Sequence, residues 1–310
     1  MASAAGQAGE QALCYRAAPM RTLILSMLVA AAAAAQERDF SKVEVKATKV
    51  AGNVYVLTGS GGNIGATVGE DGIAIVDDQF APLAPKIHAA LKQLSPQPVR
   101  FVINTHWHGD HTGGNAQFAD TAAILAQANV RKRLITGGKT SFIEFAPASG
   151  KALPVVTFEQ GLSLWWNGEE IKAIHPGLGH TDGDSVIWFT KSNVVHMGDD
   201  YFAGMFPFVD LASGGSVVKL IQSVDVILGQ IPADARVIPG HGPVTGVAEL
   251  RKYRAMLDEA VGAVKKALAT GKTVEQMKQE KILASLEDWN KGFVKADVFI
   301  ATIAEDLGKK

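Results

Sequence analysis

The stretch Thr105-His106-Trp107-His108-Gly109-Asp110-His111-Thr112-Gly113-Gly114-Asn115 places three histidines and one aspartate within six residues and then turns at two glycines. A helix would spread these side chains around its axis, whereas a loop that leaves a strand can direct them to one point. Imidazole nitrogens and a carboxylate oxygen form a ligand set typical of zinc, which manganese or iron can replace. A metal site is therefore predicted here in preference to an ordinary polar loop.

The apolar segment 99–103, immediately before this stretch, has the pattern of a short buried strand. The histidines then lie just beyond the carboxyl end of that strand. Ligand sites in α/β folds are commonly built at this end of the sheet. The segment therefore predicts an α/β protein whose site lies at a sheet edge.

Three further candidate ligands occur in similar settings later in the chain. His180 lies within the glycine-rich segment 177–184, Asp199 follows the apolar segment 194–195, and His241 lies within segment 238–243. Each follows an apolar, strand-like run and has a neighbouring glycine, which allows the backbone to turn sharply and to approach an ion closely. These residues complete a candidate ligand set.

This ordered series, together with Asp77 at the end of the apolar segment 72–77, resembles the metallo-β-lactamase superfamily over residues 53–246. The resemblance implies an αβ/βα four-layer sandwich, in which two mixed β-sheets carry helices on their outer faces. It also implies two zinc ions, with iron or manganese as alternatives. Ligands of the first ion would be His106, His108 and His180; those of the second would be Asp110, His111 and His241, with Asp199 between the two ions.

The residue between the ions separates branches of the superfamily. An aspartate, as at Asp199, resembles the bridging ligand of the glyoxalase-like branch, whereas the best-known lactamases carry a cysteine there. Those lactamases also have a lysine three positions later, where this sequence has Phe202. The sequence departs from the clinically known lactamases at both positions, but its metal ligands are complete.

Two divalent ions about 3.5–4 Å apart can share one hydroxide at neutral pH, because each lowers the pKa of bound water. That hydroxide would attack a carbonyl carbon of the substrate. Asp110 is the predicted catalytic residue, which would bind a metal and also orient the hydroxide or guide a proton to the leaving group. The sequence contains no Gly-x-Ser-x-Gly motif, so no serine nucleophile of that type is expected.

Three functions are considered for a small-molecule substrate. The first is a zinc-dependent hydrolase of a cyclic amide or ester, similar to a β-lactam or a lactone. The alternatives are a thioester hydrolase of the glyoxalase II type and an iron-dependent redox enzyme similar to sulfur dioxygenases. Asn63, in the hairpin loop 59–63, and Trp107, between two ligands, are the predicted substrate contacts.

The N-terminal residues have the pattern of a cleavable signal peptide. Arg21 precedes an apolar run and an alanine series that ends at Ala35, before polar residues. We therefore expect residues 1–35 to be removed, Met20 to be a candidate start, and the mature protein to be periplasmic or secreted, with no stable membrane insertion. The 30 basic and 31 acidic residues nearly balance, so no nucleic-acid partner is expected.

The remaining sequence is divided into a catalytic domain at residues 40–246 and a C-terminal helical extension at 247–310, where apolar residues recur at helical spacing. Strands are expected over 43–47, 54–57 and 64–68, and a helix over 83–94. His88 on that helix is predicted to be structural, whereas His175 and His196 are candidates to support the site. Core packing is expected for four other aromatic residues: Trp165, Trp166, Phe206 and Phe208.

Overall fold

Two β-sheets pack face to face, and helices cover both outer faces. The structure is a computed structural model that describes residues 39–139 and 144–309. From Phe40 onward the chain forms one compact unit.

The first sheet has seven strands in the order β1-β2-β3-β4-β5-β6-β9. Strands β1 to β4 form an antiparallel meander, and β4, β5, β6 and β9 run parallel to one another. The strands are β1 (Lys46–Ala51), β2 (Val54–Thr58), β3 (Ile64–Gly69), β4 (Gly72–Val76), β5 (Val99–Asn104), β6 (Ala123–Gln127) and β9 (Val156–Phe158). A separate two-stranded ribbon consists of β7 (Gly138–Lys139) and β8 (Glu144–Phe145).

The second sheet has six strands in chain order, with one parallel pair, β13 and β14. These strands are β10 (Gly161–Trp166), β11 (Glu169–Ile174), β12 (Val186–Phe189), β13 (Val194–His196), β14 (Arg236–Ile238) and β15 (Thr245–Gly246). The α-helices are α1 (Ala84–Leu94), α2 (Gly109–Thr112), α3 (Asn115–Phe118), α4 (Ala128–Thr136), α5 (Val217–Leu228), α6 (Val247–Ala269), α7 (Val274–Gln279) and α8 (Ala296–Gly308). Five 3₁₀ helices, at 81–83, 150–152, 198–200, 211–213 and 284–289, complete the elements of the described residues.

Three apolar clusters define the four layers. One lies between the sheets, where Val56 and Ile103 of the first sheet meet Ile187 of the second. Another joins the outer face of the first sheet to α1. The largest joins the second sheet to α5, α6 and α8. Burial of apolar surface on both faces of each sheet is the main contribution to the stability of this arrangement.

The predicted fold class is confirmed, including the C-terminal helices. Helix α7 begins with a capping box, in which Thr273 and Gln276 accept hydrogen bonds from each other's backbone N–H groups. The strand expected from residue 43 is wrong at its start: β1 begins at Lys46, while Val43 and Val45 pack beside the α1 cluster. Val43 and Val45 alternate with polar residues because both pack on the α1 cluster, although this segment before β1 is irregular.

The expected signal segment, residues 1–35, lies outside the described residues, so its removal stays a prediction. Among the residues that are described, no helix is long and apolar enough to cross a membrane. The division at Gly246 also stays a prediction. Across it, Val237 of β14 and Leu250 of α6 belong to the same apolar cluster.

Candidate metal centre

The predicted ligands of the first metal come together at one end of the sheets. His106 and His108 follow β5, and His180 lies in the loop between β11 and β12. All three side chains are buried, and their ligand atoms lie within 4.8 Å of one another. The His180 Nε2 and His108 Nδ1 atoms are 2.8 Å apart.

The predicted ligands of the second metal form an adjacent group. Asp110 and His111 lie on the one-turn helix α2, and His241 follows β14. The Nε2 atom of His241 lies 3.4 Å from Asp110 Oδ2, and that of His111 lies 3.8 Å from the same oxygen. Asp110 and His241 are partly exposed, so this side of the centre faces the open surface.

Asp199 lies between the two groups. Its Oδ2 atom is 3.4 Å from His241 Nε2, 3.6 Å from His180 Nε2 and 3.9 Å from His106 Nε2. Its other oxygen, Oδ1, is 3.2 Å from His111 Nε2. One carboxylate therefore faces ligands from both groups, which is the arrangement required of a bridging ligand.

The outer nitrogens of three imidazoles have acceptors that fix the protonation of each ring. His111 Nδ1 lies 2.7 Å from Asp77 Oδ2, His180 Nδ1 lies 2.7 Å from the Phe208 carbonyl oxygen, and His108 Nε2 lies 3.1 Å from Asp210 Oδ2. Carboxylate and carbonyl oxygens only accept here, so each of these nitrogens carries the hydrogen. The inner nitrogens of neutral rings are then lone-pair donors, as a metal requires.

His106 is oriented through Thr105. The Thr105 hydroxyl donates to Asp77 Oδ2 over 2.7 Å, which leaves it to accept from His106 Nδ1 at 3.0 Å. The Thr105 backbone N–H donates to the other oxygen of Asp77 over 2.7 Å. Asp77 is fully buried. It therefore orients His111 directly and His106 through Thr105.

A metal ion fits the atoms that face inward. The buried atoms His106 Nε2, His111 Nε2 and Asp199 Oδ1 have no hydrogen-bond partner among residues 39–139 and 144–309. The 2.8 Å contact between two lone-pair nitrogens of His108 and His180 is repulsive unless a cation or a proton lies between them. Ligands about 2.1 Å from a tetrahedral zinc are about 3.4 Å apart, close to several of the separations above. The geometry and the donor chemistry both suit a divalent cation.

The pKa values of the site residues also favour a bound cation. Burial alone would raise the pKa of Asp199, but the charges of His241 and His111 hold it well below its usual range. Burial would likewise lower the pKa of His241, yet Asp199 and Asp110 raise it to about 9. Asp110 has a pKa of about 2, because the attraction of His111 and His241 outweighs its burial. The two carboxylates thus attract positive charge, which a metal supplies when it displaces protons from the histidines.

The structure corrects one of the two predicted substrate contacts, and the other stays a prediction. Trp107 is only 2% exposed and packs against Phe145 in a cluster behind the metal loop, so its predicted exposure at the site is wrong. The prediction assumed that a residue between two ligands directs its side chain toward the site, whereas the Trp107 side chain points away from it. The Asn63 side-chain amide donates to the carbonyl oxygens of Pro239 and Gly242, each over 2.9 Å. Asn63 therefore holds the loop that carries His241, and both its amide hydrogens are committed there.

The other histidines have distinct surroundings. His196 Nε2 donates to the Asn63 carbonyl oxygen over 2.9 Å and His196 Nδ1 accepts from Gly198 N–H over 3.1 Å, so this side chain supports the hairpin and the Asp199 segment. His175 Nδ1 donates to the Asp184 carbonyl oxygen over 2.7 Å. His88 stacks on Phe118 in the helical layer. None of the three belongs to the inward-facing groups of the described residues.

Several site residues were not found from the sequence. Asp210, which orients His108, lies 102 positions from it, and no local pattern marks it. Gly62 and Gly240 approach the ligands closely: a Cβ atom would overlap the His111 ring at Gly62 and Asp199 Oδ1 at Gly240. Phe208, expected in the core, lies beside the His108 and His180 rings.

Comparison with known proteins gives one family match. The family model described as the metallo-beta-lactamase superfamily matches residues 47–284. Metallo-beta-lactamase IND-1 of Chryseobacterium indologenes is 23% identical over 231 residues, which are 72% of this chain and 90% of that protein.

The alpha subunit of 2,4-dinitroanisole O-demethylase from a Nocardioides species is 31% identical over 160 residues. That alignment includes 50% of this chain but only 46% of the demethylase subunit, so the chain spans about half of that relative. Among solved structures, a metallo-beta-lactamase from Pontibacter korlensis superposes with a TM-score of 0.60 at 18% identity, covering 69% of this chain and 99% of its own. This structural likeness concerns the fold.

Proposed function

This chain belongs to the metallo-beta-lactamase superfamily, and we propose that it is a dinuclear zinc hydrolase of a cyclic amide or ester, such as a β-lactam or a lactone. The observation that carries the proposal is the convergence of seven ligand side chains, five of them buried, three of which have unpartnered inward-facing atoms. Relatives named as metallo-beta-lactamases support the reaction class.

Each of the two groups of ligands in the structure is assigned one ion. One ion would be held by His106, His108 and His180, the other by Asp110, His111 and His241, with Asp199 facing both. When bound, such ions lower the pKa of water and polarise a substrate carbonyl. The buried histidines, whose outer nitrogens are fixed by hydrogen bonds, hold this centre rigidly. Rigid placement reduces the reorganisation required during the reaction.

Asp110 has a different surrounding from the buried ligands. Its side chain is 26% exposed, on the side where a substrate enters. With a pKa of about 2, it is a carboxylate at neutral pH and accepts a hydrogen bond from an attacking water. This interaction orients the water, and the same oxygen can pass a proton toward the leaving group. We therefore assign the catalytic role to Asp110.

A thioester hydrolase of the glyoxalase II type is the second candidate. Its support is Asp199, an aspartate whose two oxygens face ligands of both groups. An iron-dependent redox enzyme is a third candidate, since nitrogen and carboxylate ligands also suit iron.

A substrate panel distinguishes these functions. The purified protein is assayed on a β-lactam, a lactone and a thioester, before and after removal of metal by a chelator and after restoration of zinc or iron. We expect zinc-restored hydrolysis of the lactam or the lactone. Zinc-restored hydrolysis confined to the thioester would support the second candidate. Oxygen consumption restored only by iron would refute the hydrolase proposal.

A further inference from the structure

Two phenylalanine side chains outside the Trp107 cluster lie beside histidines of the metal centre. The Phe208 ring lies 6.0 Å from the His108 ring and 5.7 Å from the His180 ring, measured between centroids. The Phe293 ring lies 6.5 Å from both the His241 and the Phe208 rings. We call Phe208 and Phe293 the aromatic rim.

Phe293 is the more exposed member of the rim. It is 58% exposed, so a ligand at the centre can reach its ring. It belongs to the segment between the 3₁₀ helix 284–289 and α8, far in sequence from the metal motif. Its ring nevertheless lies over the His241 side of the centre.

The backbone around Phe293 is held on both sides. Before it, the Trp289 carbonyl oxygen accepts from Phe206 N–H over 3.0 Å. Gly292 packs so closely on Met205 that a Cβ atom would lie 2.9 Å from its sulfur. After it, Val294 is buried in the largest apolar cluster. Phe293 is therefore presented at the site by a fixed segment.

The charged partners of the two carboxylates in the centre are histidines. Among the described residues, Asp110 and Asp199 form ion pairs with histidines, and no lysine or arginine lies within 4.0 Å of either carboxylate. Phe202 is fully buried and stacks on His241 at 5.1 Å, so this position supplies an aromatic support for the ligand. The rings that flank these histidines are apolar.

From this geometry we infer that the substrate carries an apolar ring beside the bond that is cleaved, and that Phe293 is the residue that selects it. This inference rests on the proposed function, since it assigns the substrate class of the same site. A ring of the substrate can pack against Phe293 and Phe208 while its carbonyl faces Asp110. Aromatic pairs of this kind alter affinity by about 2- to 10-fold.

The experiment uses two lactones that differ by a fused benzene ring, dihydrocoumarin and δ-valerolactone. Wild type is compared with Phe293→Ala and with Trp165→Ala, a control on the outer edge strand β10 with 74% exposure. We expect Phe293→Ala to lower kcat/KM for dihydrocoumarin about 3- to 10-fold, mainly through KM, and that for valerolactone less than twofold. Trp165→Ala should change neither, and metal content should be equal in all three proteins.

A binding measurement separates this inference from the hydrolase proposal. Calorimetry of phenylacetate and acetate with the metal-loaded protein compares two ligands that share a carboxylate and differ by a ring. If phenylacetate binds more tightly than acetate and this advantage is lost in Phe293→Ala, the inference is supported even when neither lactone is cleaved. Absence of lactone cleavage would then count only against the proposed lactone hydrolysis. If the substitution affects both lactones equally, or if phenylacetate has no advantage over acetate, the inference is wrong.

Discussion

Substitution of Asp77 tests how the metal ligands are oriented. Asp77 accepts three hydrogen bonds of 2.7 Å, from the Thr105 backbone N–H, the Thr105 hydroxyl and His111 Nδ1. Asparagine has the same shape but only one acceptor oxygen. In either orientation of the amide, at least one donor then faces another N–H group. A hydrogen bond to a charged group contributes about 1.5–3 kcal/mol, so the free energy of unfolding should fall by at least about that amount.

The same substitution should weaken metal binding. Loss of the acceptor frees His111 to rotate or to change its protonated nitrogen, and it removes the support of Thr105 for His106. Changes to such supporting residues commonly lower metal affinity about 10- to 100-fold. We expect Asp77→Asn to show this loss when zinc is titrated in competition with a coloured chelator.

Asp78 provides the matched control. It is equally buried and adjacent, but its side chain accepts one hydrogen bond, from Gly114 N–H over 2.8 Å, and contacts no predicted ligand. Burial raises the pKa of Asp78 well above its usual range, so asparagine resembles its protonated form. Asp78→Asn should change zinc affinity by less than about twofold, compared with the loss of about 10- to 100-fold expected for Asp77→Asn. Equal zinc affinities for Asp77→Asn and Asp78→Asn would refute the orienting role of Asp77.

Three further outcomes are expected. Asp110→Asn should lower turnover by about 10²–10⁴-fold with the first metal still bound. The control His88→Ala, in the helical layer, should leave turnover nearly unchanged. Steady-state kinetics with metal analysis would contradict this if Asp110→Asn kept most of its activity with both metals present. In the metal-free protein, the pKa of His241 is raised to about 9, so its contribution to stability is complete below about pH 6.5 and is lost as the pH rises through 9. Thermal melts should therefore show a Tm that falls over that range and that zinc restores. A rising Tm would be inconsistent with the charge arrangement. The mature chain should begin near Gln36 outside the cytoplasm, and mass spectrometry that found residues 1–35 retained in a cytoplasmic fraction would disprove export.

The fold, and the convergence of the candidate ligands, could be predicted because both leave local marks in the sequence. A buried strand such as β5 is a continuous apolar run, and the ligands follow such runs beside glycines, where the backbone must turn. The direction of a single side chain is not local. Trp107 and Asp110 belong to the same motif, yet one points into an apolar cluster behind the loop and the other toward the open side.

Residues that act from a distance could not be predicted. Asp210 orients His108, and Phe293 approaches His241, through tertiary packing that no spacing in the sequence encodes. Asn63 was predicted to contact substrate, and the sequence did not reveal that its side-chain amide donates to the loop that carries His241. Contacts between residues so far apart in the chain are found from the structure and not from the motif.

The central claim is that two zinc ions occupy the ligand groups described above. Anomalous diffraction at the zinc absorption edge, from crystals of protein purified without added chelator, tests it directly. We expect two peaks about 3.5–4 Å apart, one beside His106, His108 and His180 and the other beside Asp110, His111 and His241, with Asp199 next to both. A single peak at the iron edge, or no peak among these residues, would contradict it.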